Sequence, residues 1–175
     1  MLETIITSKT RVKLLLKFFL NERNIAYLRG LEQEFGEGTN AIRLELNKFE
    51  KVGLLMSFGQ GNKRFFKANI AHPMFNDLQS MMRKYVGLDT IVENVARKLG
   101  NLNAVYITGK IANGLQSAIV ELVLVGVDID KSYLSKLCER AETVIDKKIS
   151  YVIFTPIEFE SYKKTTDREL FLIYN

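Results

Sequence analysis

The 175-residue sequence predicts an α+β fold in two parts, on three observations. Apolar residues recur three and four apart through the stretch that ends near Val52, which is a helical period. A hairpin pattern follows, with a basic tip at Gly59-Gln60-Gly61-Asn62-Lys63-Arg64. Beyond residue 88 the text reads helix, strand, strand, helix, strand, the order of a small α/β layer.

The first helix is expected over Ser8–Leu20, with Ser8 as N-cap and Val12, Leu15, Leu16 and Phe19 facing inward. A second, Tyr27–Phe35, carries Leu28, Leu31 and Phe35 on one side, and Gly36-Glu37-Gly38 turns the chain. The third, Thr39–Val52, lines Ile42, Leu46 and Phe49 along one face and ends at Gly53. Leu54–Ser57 begins a strand, and Arg64–Ala68 returns. Glycines 59 and 61 are expected at positive φ, where the chain reverses. Pro73 discourages helix at His72; His72 itself has no partner of catalytic spacing and reads as a linker side chain.

A helix is expected over Met74–Tyr85, with Phe75, Leu78, Met81, Met82 and Tyr85 as its apolar stripe. That stripe is either a dimer interface or an ordinary inter-domain core. Another helix spans Asp89–Leu99 and stops at Gly100. Strands follow at Ala104–Thr108 and Ile119–Val127, then a helix at Lys131–Ile145, a strand at Ile149–Phe154 and a short helix at Pro156–Tyr162, where Pro suits a first turn. The domain boundaries so read are 1–70, a linker helix at 71–87, and 88–175.

Composition narrows the function class. The hydrophobic fraction of 47% and charged fraction of 26% are those of a globular protein. No apolar run reaches the roughly 20 residues of a membrane span, and MLETIITSKTR lacks the pattern of a signal peptide. The single cysteine, Cys138, excludes an intramolecular disulfide and a cysteine-cluster metal site. A reducing cytoplasm is the expected compartment, and no cofactor, metal or membrane is expected. The net charge is +5, and residues 1–70 carry all of it, with 12 Lys+Arg against 7 Asp+Glu. Positive charge there suits phosphate, because releasing condensed counterions drives DNA affinity.

On the third helix, Asn40, Arg43 and Asn47 share the face opposite the apolar stripe. Arg43 is the expected base reader, since a guanidinium can make two bonds to guanine. Thr39 and Lys48 are further candidate DNA contacts, with Lys48 reaching phosphate. In the hairpin, Gln60, Asn62, Lys63 and Arg64 are expected on phosphate or in the minor groove. Glu45 is the discordant residue, a carboxylate near an anionic groove. Three helices and a basic-tipped hairpin resemble a winged helix-turn-helix. The resemblance implies a transcriptional regulator that binds double-stranded DNA as a homodimer. The same module also serves elsewhere as a protein-docking adaptor, which is the competing reading.

The stretch Val105–Gly126, VYITGKIANGLQSAIVELVLVG, resembles the minimal nucleotidyltransferase fold. That family places Gly-Ser after a strand, a short helix ending in Gly, and a strand bearing Asp-x-Asp. Gly109 and Gly114 match its glycines, while Lys110 and Asn113 replace its serine and arginine. The three carboxylate positions fall at Ile119, Glu121 and Ser150, so the resemblance implies an inactive domain used for sensing, dimerisation or docking. Gly109, Lys110 and Glu121 are the candidate vestigial or ligand site, for a nucleotide or small-molecule effector. Glu121 reads either as a remnant of the metal site or as a polar strand residue beside Lys110. Lys110 is either an anion contact or a solvated lysine. Asp128 and Asp130 read as a turn and an N-cap; a divergent Mg-dependent enzyme would use them with Glu121.

Overall fold

The computed structural model describes residues 2–175. It divides into two compact units, Met1–Met82 with Gly114–Gln116, and Arg83–Asn113 with Ser117–Asn175.

In the first unit a short α1 (Leu2–Ile5) precedes α2 (Lys9–Phe19). The Ser8 side chain accepts from the Arg11 N–H, the expected N-cap. Leu14, Leu15, Leu16, Phe18, Phe19 and Leu20 are all buried. Such burial on every side marks a central helix rather than a surface one, and each of these side chains contributes about 1.5–3 kcal/mol. Asn24, also buried, donates to the Lys17 carbonyl at 3.0 Å. Strand β1 (Ile25–Tyr27), helix α3 (Leu28–Phe35) and helix α4 (Thr39–Lys51) follow. Ile42, Leu46 and Phe49 are buried along α4 as the periodicity requires. Past Gly53 the chain forms β2 (Leu55–Gln60) and β3 (Lys63–Ala68).

The sheet order is β1-β3-β2, all antiparallel. Helix, strand, two helices and a hairpin closing on that strand make a winged-helix-like topology. The hairpin turn is tighter than the sequence indicated. Gln60 pairs with Lys63, leaving Gly61 and Asn62 as the turn, and only Gly61 takes positive φ (61°). Gly59 lies within β2 opposite Arg64, so the expected positive φ there is wrong.

Helix α5 (Phe75–Val86) starts after a turn in which His72 Nδ1 accepts from the Met74 N–H at 3.1 Å. Phe75 packs on Phe19 with ring centroids 5.9 Å apart. Phe75 and Met82 are buried, and Leu78, Met81 and Tyr85 half-buried.

The second unit opens with α6 (Leu88–Ile91), a π-helical turn at Val92–Ala96 and α7 (Arg97–Leu99). Then come β4 (Leu102–Thr108), α8 (Gly109–Ala112), β5 (Ile119–Gly126), α9 (Lys131–Ile145), β6 (Lys148–Phe154), α10 (Pro156–Thr165) and β7 (Phe171–Tyr174). The strand order is β6-β5-β4-β7, with β5 and β6 parallel and the other pairs antiparallel. One face, Ala104, Val123 and Val125, lies under Phe159 of α10 with Tyr106, Phe154 and Tyr162 around it. Asp130 caps α9 by accepting from the Tyr133 N–H, and Asp128 sits in the preceding turn at φ 54°. Thr155 and Glu158 form a capping box that starts α10. Strand β6 is an open edge, and the Glu142 carboxylate accepts from the Ile149 N–H at its start (2.7 Å). Among the described residues no helix is long and apolar enough to cross a membrane.

Candidate nucleic-acid interface

The tight Gly61-Asn62 turn carries Lys63 and Arg64 back toward α4, and a cleft of about 530 Å3 opens between them. Arg43 and Asn47 of α4, Arg29 of α3, and Asn62, Lys63 and Arg64 of the hairpin line it. Tyr27, Leu28, Leu46 and Phe66 form its floor. Sequence reasoning missed Arg29 and Tyr27. Both belong to the short segment where β1 runs into α3, and no spacing rule links them to position 43 or 63.

The cations of this unit differ in how free they are. Arg43 and Arg29 are exposed and hold no hydrogen bond or ion pair among the described residues. Lys63 lies over the Tyr27 ring, 4.3 Å from its centroid, so its charge stays in the cleft at a fixed place. Arg64 is committed to the protein. Its Nη2 donates to both Glu50 oxygens (2.6 and 2.7 Å), and its Nε donates to Ser57 Oγ (3.0 Å). The Ser57 hydroxyl and then Arg64 hold the Glu50 carboxyl below its ordinary range. Arg64 therefore braces the wing against the end of α4, with one side open to the cleft.

Glu45 ceases to be discordant. It is buried on the far side of α4, where Arg11 Nε (2.8 Å) and Lys48 Nζ (2.9 Å) donate to it. The bond from Arg11 is the main cause holding its carboxyl below the usual glutamate range, against the opposing pull of burial. Lys48 is thus drawn away from the cleft. Lys13 pairs with Glu37 (2.6 Å) and Lys17 with Glu34 (2.7 Å). Thr39 and Asn40 occupy the first turn of α4, and Gln60 the exposed end of β2; none of the three lines the cleft. Leu44, the next residue on α4, is 54% exposed but does not line the cleft.

The second candidate site takes a different form. Thr108, Glu121 and Ser150 stand in register on neighbouring strands β4, β5 and β6. Gly109 turns away from β4 at φ 70°, and a Cβ there would run into the Glu121 carboxylate. Glu121 is paired with Arg168 Nη1 at 3.0 Å, and Lys110 projects from α8 as an exposed side chain. Ile119, two residues before Glu121, is 48% exposed. Among the described residues no three His, Cys, Asp or Glu side chains gather as metal ligands.

No family model and no curated protein matches the chain. Among solved structures, reduced HlyU from Vibrio cholerae N16961 overlays at 13% sequence identity, covering 53% of this chain and 82% of its own, with a TM-score of 0.36. An overlay so loose carries no argument, and the winged-helix-like topology rests on the strand order and helix sequence themselves.

Proposed function

We propose that this protein is a DNA-binding transcriptional regulator that reads duplex DNA with α4 and the β2–β3 wing. One observation carries the reading: Arg29, Arg43 and Lys63 converge with Asn47 and Asn62 on one open cleft, while most other cations of the unit are spent on carboxylates. Arg43 and Asn47 are the base readers, by bidentate and amide bonds in the major groove. Arg29, Lys63 and Asn62 meet phosphates on either side and fix the register. Arg64 positions the wing and contributes field rather than a free fork. The first unit supplies this reading head as a winged helix-turn-helix.

On this reading the second unit is a nucleotidyltransferase-like domain that serves sensing, dimerisation or docking rather than catalysis. Its only carboxylate at the Ile119, Glu121 and Ser150 positions is already neutralised by Arg168, which disfavours the Mg-dependent alternative. DNA binding as a homodimer follows from the small surface that one such module offers.

Fluorescence anisotropy with a labelled duplex, across a salt series, tests the reading. Wild type should bind with a steep salt dependence, and Arg43→Ala should weaken binding about tenfold. No binding at low salt would leave the protein-docking reading in its place.

A further inference from the structure

The outer face of the wing sheet carries a surface that shares only Lys63 and Tyr27 with the duplex-reading cleft. Alternation along each strand sends Phe66 and Ala68 into the core and Lys63, Phe65 and Lys67 outward. On β2 the outward set is Met56, Phe58 and Gln60, and on β1 it is Ile25 and Tyr27. Tyr27, Phe65 and Phe58 stand directly across from one another on the three strands. Tyr27 and Phe65 meet edge-on at 5.3 Å, and Phe65 and Phe58 stack at 5.8 Å with planes 19° apart. Lys63 lies over Tyr27, and Lys67 over Phe58 at 5.7 Å.

We propose that this row is a stacking platform for single-stranded nucleic acid, distinct from the duplex-reading cleft and joined to it at Tyr27 and Lys63. Three features fit that occupant. The rings form a continuous row across the sheet, so successive bases of an unpaired strand can lie against successive rings. Two lysines flank the row and no carboxylate lies on the outward positions, so the face matches a polyanion. The face is accessible: Phe58 at one end of the row is 36% exposed, Tyr27 and Phe65 are half-buried, and the neighbouring Ile25 and Met56 are 50% and 43% exposed. Bases bind by displacing the lysine ammonium groups from the rings toward the phosphates, so each cation keeps a charged partner. A duplex cannot use the same face, because its bases are stacked on each other.

The test uses the full chain and a labelled oligothymidylate of about twelve nucleotides, alongside a labelled duplex. Phe58→Ala should weaken single-strand binding about tenfold, and Lys67→Glu should do so with a reduced salt slope. Neither should change duplex affinity, and Arg43→Ala should show the opposite selectivity. Absence of single-strand binding at low salt overturns the proposal, as does wild-type binding by both variants. A drop from dimer to monomer on Phe58→Ala, by light scattering without single-strand binding, would make the face a self-association surface and also sink it.

Discussion

The α4 cleft and the row around Glu121 were both anticipated from the sequence, and folding treats them in opposite ways. At the cleft it adds functional groups, bringing Arg29 and Tyr27 to Arg43 and leaving two guanidiniums unpaired. At the row it uses groups up, tying Glu121 to Arg168 and packing Gly109 against the same carboxylate. A charged side chain is available for a ligand only when the protein leaves it without a partner, and sequence alone does not reveal which ones are left.

The comparison breaks first at Arg43. Arg43→Glu should cost at least a hundredfold in duplex affinity by anisotropy, because it removes a base contact and puts a carboxylate among phosphates. A loss below threefold would move the reading surface elsewhere. Arg29→Ala should cost about tenfold across all sequences and lower the salt slope by about one, as a phosphate contact does.

On the protein side of α4, Glu45→Gln should lower unfolding stability by about 2 kcal/mol at pH 7 in urea titrations, since it leaves Arg11 without its charged partner. The sign with pH follows from the lowered Glu45 value. Its contribution is fully present above the ordinary glutamate pKa of about 4.3 and fades as pH falls through the lower folded value. Wild type and variant should therefore converge in acid. The smallest effect belongs to the second region. Glu121→Gln should change stability by less than about 1 kcal/mol, because Arg168 is more than half exposed, and should leave duplex binding unaltered. A large loss of DNA affinity on Glu121→Gln would show that the row is active after all.

Much of the fold was legible in local chemistry. Ser8, Asp130 and the Pro156 turn announced helix starts because capping is decided within three residues. Strands β1 and β7 were missed for opposite reasons. Ile25–Tyr27 is too short for a period of two to register, and Phe171–Tyr174 is apolar at successive positions. The site was half legible. The face of Arg43 and Asn47 follows from helical spacing, whereas the Arg64–Glu50 and Glu45–Arg11 pairs join residues 14 and 34 positions apart. Such pairings are set by tertiary packing, whereas Lys48 is turned from the cleft by Glu45 three residues before it on the same helix, and Gly59 is kept in its strand by the hairpin register.

The Glu142 carboxylate at the start of β6 has a consequence for how the protein keeps on the bench. The Ile149 N–H and Lys148 hold that carboxyl below its ordinary value, so the cap persists at neutral pH and is lost only as pH drops through the lowered value. Without it, a seven-residue edge, Lys-Ile-Ser-Tyr-Val-Ile-Phe, stands open with neither proline nor an internal charge to discourage cross-chain zippering. Acid below the ordinary carboxylate range should turn clear stocks turbid before the fold is lost, and light scattering against circular dichroism on one pH series would separate the two events. Neutral, well-buffered storage is the condition this edge asks for.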